Sequence, residues 1–184
     1  MTRRCTAIWR RLDVPGHDAC RLIEDADGCE LEGTAVFQHD LGPARIEYSV
    51  RCDREGRSRD GRVRGWIAAR AWDVQVRRLE SGAWLLNGTR VEGLDDCLDL
   101  DFGFTPATNV LTLRRLALDV GAAAHVPVAW LELPDVALVR LPQTYQRRSV
   151  STYWYESPTV GYTALLEMAE SGFVATYPGL WVME

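Results

Sequence analysis

Apolar and polar residues alternate along most of this chain with a period of two, as they do in β-strands that bury one face. Residues 29–37 put Cys29, Leu31, Gly33, Ala35 and Phe37 on one side and Glu30, Glu32 and Thr34 on the other. Residues 45–51 repeat the arrangement, with Ile46, Tyr48 and Val50 opposite Arg45, Glu47, Ser49 and Arg51. A turn in the region of Gly42-Pro43 makes the two a hairpin. The run from Val63 to Leu79 carries Val63, Ile67, Ala69 and Ala71 at odd positions, then shifts its apolar set to Trp72, Val74 and Val76. A change of face inside one run predicts a bulge or bend near Ala71. Residues 83–86 then pair back through Glu80-Ser81-Gly82, and Asn87-Gly88 supplies the next hairpin turn.

The last third continues with short aromatic or β-branched runs at 125–133, 136–141, 151–156, 161–168 and 172–177, parted by Pro, Ser or Gly. Strands of this length and spacing predict an all-β or mostly β fold, a barrel-like antiparallel sheet with at most one or two short helices. The helix candidate is Asn109 to Val120, where Val110, Leu113, Leu116 and Val120 form a stripe at helical spacing. No linker, repeat or low-complexity stretch interrupts the 184 residues, so one domain over 1–184 is expected.

Composition sharpens this picture in a few places. With 47% hydrophobic and 26% charged residues the whole chain is expected to fold, and seven Trp, six Tyr and four Phe supply strands and pocket walls. The formal charge of -5 argues against a nucleic-acid partner, whose phosphates attract excess cations. The stretch Arg51 to Arg64 holds six Arg, but Asp53, Glu55 and Asp60 interleave with them, which reads as a solvated hairpin tip. Every strong cation is an arginine, suited to bidentate pairing with carboxylates.

The five cysteines, Cys5, Cys20, Cys29, Cys52 and Cys97, show neither zinc-site nor secreted-framework spacing. Arg10, Arg11 and Asp13 break up the apolar stretch near the start, which removes a signal-peptide core, and no run of about 18 apolar residues could span a membrane. A cytoplasmic location with reduced thiols is therefore expected.

Signatures of well-known catalysts are missing: there is no nucleophile elbow, no zinc-protease helix motif, no phosphate-binding loop and no dinucleotide glycine fingerprint. Neither a cofactor nor a metal is expected. The three histidines, His17, His39 and His125, lie where surface or hydrogen-bonded roles suffice. The densest polar cluster is DDCLDLD at 95–101. If 98–102 is extended, Asp99 and Asp101 share a face, as a glycosidase acid and base or a metal site would require. The competing structural role is pairing with Arg114 or Arg115 across the corner Thr105-Pro106-Ala107-Thr108-Asn109.

Together these pieces carry a family resemblance. The stretch WLLNGTRVEGLDDCLDLDFGFTPATNVLTLRRLAL, then AWLELPDVALVRLPQTYQR, YWYES and YPGLW, over about residues 84–181, resembles the bacterial family described as putative glycolipid-binding proteins. Its most telling matches are Asp99 and Asp101 ahead of the Thr105–Asn109 corner, then Arg114-Arg115-Leu116, then Gln143, Tyr145 and Arg147. The resemblance implies a barrel-like fold similar to lipid and lipoprotein carriers, with a lipid or glycolipid as partner. The expected ligand-binding residues are Trp84, Asp99, Asp101, Arg115, Trp130, Gln143, Tyr145, Tyr153 and Tyr155. A hydrolase of a glycosyl or acyl bond using Asp99 or Asp101 is the alternative, and an interaction module with a filled interior is the second.

Overall fold

The structure, a computed structural model, describes residues 2–184, of which 61% of the chain is strand and 6% helix. Eight strands come first: β1 (Arg3–Arg11), β2 (Gly16–Asp25), β3 (Gly28–His39), β4 (Gly42–Cys52), β5 (Ser58–Ile67), β6 (Arg70–Arg78), β7 (Trp84–Leu86) and β8 (Thr89–Val91). Next are β9 (Asp99–Phe102) and the helix α1 (Asn109–Leu116). The chain ends with β10 (Ala123–Glu132), β11 (Ala137–Arg147), β12 (Thr152–Ser157), β13 (Tyr162–Met168), β14 (Val174–Tyr177) and β15 (Trp181–Met183). All belong to one sheet, ordered β8-β7-β6-β5-β4-β3-β2-β1-β15-β14-β13-β12-β11-β10-β9. Two meanders therefore meet where β1 pairs with β15, Trp9 standing opposite Met183. The sheet is curled rather than closed.

The alternation read in β3 and β4 is the one observed: Leu31, Ala35, Ile46, Tyr48 and Val50 are buried, and Cys29 stands opposite Cys52 at the end of the ladder. The strands β1 and β2 went unread because arginines crowd the first of them. Its inward positions are Cys5, Ala7 and Trp9, alternating with residues exposed to solvent. The shift of face after Ala71 has a different cause from the expected bulge. Residues 63–79 are not one strand but the arms of a hairpin, with Ile67 paired to Arg70 across a two-residue turn. Ala68 in that turn has φ of 50°, in the left-handed region. The Asn87-Gly88 turn is as expected, with φ of 49° and 82° and Leu86 paired to Thr89.

The short edge strand β9 forms a parallel pair with β10, whereas the other strand pairs are antiparallel. Its other edge docks on β5 through one residue. Ser58 donates its backbone N–H to Leu98 O (2.9 Å), and its Oγ accepts from the Leu100 N–H (3.0 Å). Leu100 and Phe102 face the β4–β5 side, where Gly61 leaves room for Leu100: a Cβ there would stand 2.1 Å from Leu100 Cδ2. The helix α1 begins at Asn109, as the stripe indicated, but stops four residues before Val120. Ala117 turns left-handed (φ 44°, ψ 42°) and donates to Leu113 O (3.1 Å), so Val120 lies outside the helix and is exposed.

The interior is filled by large side chains. Trp9 is fully buried, packs edge-on against Phe173 with 5.4 Å between ring centroids, and donates its Nε1–H to Val174 O (2.6 Å). Trp84 donates to Cys97 O (3.1 Å). None of the five cysteines is paired in a disulfide.

Candidate functional site

The parallel register of β9 and β10 sets Asp101 beside Trp130, and the corner after β9 then returns the chain into α1. Asp99 and Asp101 share a face as expected, but their partners differ. Asp99 is fully buried and accepts two hydrogen bonds from Arg115, Nε at 2.8 Å and Nη2 at 2.6 Å, a bidentate pair between charged groups. Burial pushes the Asp99 carboxyl above its ordinary range and the guanidinium pulls it back. In return, the bonds to Asp99 raise Arg115. Arg114 joins neither aspartate; it pairs with Glu24 and donates to Ser171 O (2.8 Å).

Asp101 has no cationic partner. Thr108 Oγ1 (2.5 Å) and the Phe102 N–H (2.9 Å) donate to its Oδ1, and Gln143 Nε2 (2.8 Å) donates to its Oδ2. The chain of bonds continues: Tyr145 Oη donates to Gln143 Oε1 (3.1 Å), and Asn109 Nδ2 lies 3.4 Å from the same hydroxyl. Burial raises the Asp101 carboxyl, opposed by the bonds from Thr108, Gln143 and Phe102. Tyr145 is completely buried, and burial lifts its phenol well above the ordinary range.

In front of this network is a cleft of about 300 Å³. Six aromatic residues stand in its wall: Phe102, Trp130, Tyr155, Tyr162, Tyr177 and Trp181. The tyrosines are mutually packed, with centroid distances of 5.8 Å for Tyr155–Tyr177 and 5.2 Å for Tyr162–Tyr177. Burial raises Tyr162, to about 12. Polar atoms enter from one side, where Asp101, Thr105 and Asn109 contribute to the lining. Asn109 is 5% exposed, yet its Oδ1 has no hydrogen-bond partner. Trp130 lies flat over Gly103, where a Cβ would meet the indole Nε1 at 2.9 Å.

Behind the Thr105-Pro106 corner sits a third buried carboxyl. Asp18 Oδ1 accepts from Tyr48 Oη (2.8 Å), Tyr48 Oη lies 3.1 Å from Thr105 Oγ1, and that oxygen accepts the Ala107 N–H (3.0 Å). Asp18 is fully buried, its Oδ2 has no partner, and burial pushes it up to about 7, against the bonds from Thr105 and Tyr48.

Of the residues singled out from sequence, Asp101, Trp130 and Tyr155 line the cleft, and Gln143 and Tyr145 form the network directly behind it. Asp99 and Arg115 pair with each other outside the lining. Trp84 is buried over Cys97, and Tyr153 stacks beneath Arg147, whose Cζ is 5.7 Å from its ring centroid. Sequence reasoning missed Asn109, Tyr162, Tyr177 and Trp181. The YPGLW segment contains two of these, and an aromatic pair flanking a Pro-Gly turn was the available signal.

A larger concavity of about 860 Å³ lies on the outer face of β1 to β5, but it is open and all of its lining charges except Arg64 are paired: Arg21 with Glu32, Glu47 with Arg45, Arg62 with Asp73 and Glu184 with Arg10. Among the described residues no group of three or more His, Cys, Asp or Glu is disposed to hold a metal, and no helix is long and apolar enough to cross a membrane.

Residues 6–182 match the family described as putative glycolipid-binding. The chain belongs to that family. A crystal structure of a DUF1089 family protein from Pseudomonas aeruginosa is similar, with a TM-score of 0.79, 27% identity and coverage of 90% of each chain. No curated protein matches. Family membership and the shared fold extend over both meanders, so the Asp101 corner and the aromatic wall lie within the matched residues.

Proposed function

We propose that this family member binds an amphipathic ligand, a lipid-like molecule with a glycosyl head, in the cleft between Trp130 and the Tyr155–Tyr162–Tyr177 wall. The observation that carries this reading is the unpartnered, buried Asn109 Oδ1 beside an aromatic wall. Sugar rings offer hydroxyl donors at their rims and C–H faces to aromatic rings, which matches both halves of the lining. At about 300 Å³, near the lower end of small-molecule sites, the cleft suits one ring and the beginning of an apolar tail. Asp101, Trp130 and Tyr155 touch the ligand in this reading, Gln143 and Tyr145 orient Asp101, and Asp99, Arg115, Trp84 and Tyr153 hold the scaffold. The commitment of both aspartates to fixed donors supports binding over hydrolysis, since a general acid or base needs a free oxygen within reach of its proton. The continuous sheet supports reading 1–184 as one domain, and five unpaired thiols support a cytoplasmic location.

Titration of intrinsic tryptophan fluorescence with an alkyl glycoside below its micelle concentration tests this. Saturable quenching is expected in the parent, with affinity several-fold weaker in Asn109→Ala and lost in Trp130→Ala, both variants keeping the parent's circular dichroism. Equal affinity in all three proteins would sink the cleft as the site, and release of nitrophenol from a nitrophenyl glycoside would make the protein a hydrolase.

A further inference from the structure

A second chemistry lies on the far side of the β3–β4 hairpin from its turn. Cys29 and Cys52 are register partners at the open end of this ladder. Directly opposed residues of antiparallel strands have Cα atoms about 4.5 or 5.5 Å apart, and both spacings fall inside the ~4.4–6.8 Å that a disulfide spans. The other cysteines lack such a neighbour: Cys5 faces Leu22, Cys20 faces Ala7 and Gly33, and Cys97 lies in the segment before β9. We infer that Cys29 and Cys52 form a dithiol site that hydrogen peroxide oxidises to an intrachain disulfide, Cys29 reacting first and Cys52 resolving.

The two thiols are placed asymmetrically, as that order requires. Cys29 is partly exposed and Cys52 buried. Both line a surface recess of about 190 Å³, together with Asp25, Asp27, Glu30 and Arg51. A peroxide molecule, little larger than water at ~30 Å³, enters such a space, whereas the three carboxylates oppose larger anionic oxidants. The Cys29 thiol is held below its ordinary range by a hydrogen bond from Cys52 and by nearby Arg114, against burial and Glu24. Thiolate is the form that attacks peroxide. For Cys52 the bond to Cys29 and burial act in the opposite direction, so it stays a thiol. Its further neighbour is Ser58 Oγ, 3.8 Å from Sγ.

In the first step the Cys29 sulfur attacks one peroxide oxygen, the O–O bond breaks, and the leaving hydroxide takes a proton to become water. Cys29 is then a sulfenic acid. The Cys52 sulfur attacks the Cys29 sulfur and expels the hydroxyl, which leaves as water with the Cys52 proton. Two thiols and one peroxide thus become one disulfide and two waters, with sulfur oxidised and peroxide reduced.

Peptide mapping of the native, full-length protein after one equivalent of hydrogen peroxide and denaturing alkylation tests this. The expected product links the peptides holding Cys29 and Cys52, and leaves three of the five thiols alkylated. In Cys52→Ser, dimedone should trap a sulfenic acid at Cys29. In Cys29→Ser, no adduct should form at Cys52. Five alkylated thiols after peroxide, or a bridge that includes Cys5, Cys20 or Cys97, would overturn the assignment. The mapping uses the unaltered chain, so it decides the question even where a serine variant folds poorly.

Discussion

The protein around Asp18 favours its protonated form to a higher pH than a free aspartate would keep it. Burial lifts it to about 7 from the ordinary 3.8, while its Oδ2 finds no donor that would favour the carboxylate. The folded chain therefore keeps a proton that the unfolded chain gives up between about pH 4 and 7. Stability from this group is fully present below pH 4, falls as pH rises through that window, and levels off above 7. Three pK units at ~1.4 kcal/mol each put the whole change at about 4 kcal/mol. Asp18→Asn preserves the shape of the neutral acid and removes the titration. Denaturant unfolding should show the variant close to the parent at pH 4.5 and more stable than it by a few kcal/mol at pH 8. A stability difference independent of pH would refute the protonated state. Nothing in the sequence announced this group: the strand β2 was unread, and an acid at a buried position is recognisable only once its neighbours are known. Asp99 was more legible, because an aspartate and a double arginine around a tight corner have few other uses. Asp101 resolves differently from its twin because its partner Gln143 stands 42 residues away and is delivered by the β9–β10–β11 arrangement.

Between residues and fold, the elements whose ends are marked by turn chemistry were the readable ones. Asn87-Gly88 declared its hairpin because both residues tolerate positive φ. The β5–β6 turn did not, since Ala68 carries the positive φ instead of Gly or Asn, and a two-strand hairpin then resembled one bulged strand. The end of α1 hides for the same reason. Leu116, Leu118 and Val120 continue an apolar pattern, but the left-handed residue is Ala117, where a Cβ costs roughly 1–2 kcal/mol. Ala117 is exposed and its N–H bond to Leu113 O does not involve the side chain. Ala117→Gly relieves the strain and raises the unfolded-state entropy by ~0.4–1 kcal/mol in opposition, leaving a net gain of about 0.5–1 kcal/mol. A rise in denaturant midpoint without a change in slope is the expected result. A lower midpoint would mean that the turn does not have this conformation in solution.

For the molecule as a whole, what matters is how an open sheet manages its edges. Alternation gives each strand its face, but it says nothing of where the two ends of a fifteen-strand sheet come to rest. Ser58, on β5, receives the β9 end, and a lone serine among arginines carried no sign of it. Its hydroxyl takes the place of a strand at the unpaired edge of β9, accepting from Leu100 N–H while the Ser58 backbone N–H reaches Leu98 O. Ser58 is fully buried. Ser58→Ala keeps the backbone bond but leaves the Leu100 N–H without an acceptor, a loss of about 1–3 kcal/mol. Because β9 positions Asp101 and pairs with β10 beside Trp130, the loss should spread to the cleft before it reaches the first meander. Hydrogen exchange followed by mass spectrometry should show faster exchange over 98–104 in the variant, with peptides of β2 and β3 unchanged, and weaker alkyl glycoside binding. Uniformly faster exchange would mean that the sheet unfolds as one unit. Unchanged exchange at 98–104 would mean that β10 alone holds β9 and that the Ser58 hydroxyl adds nothing to its docking.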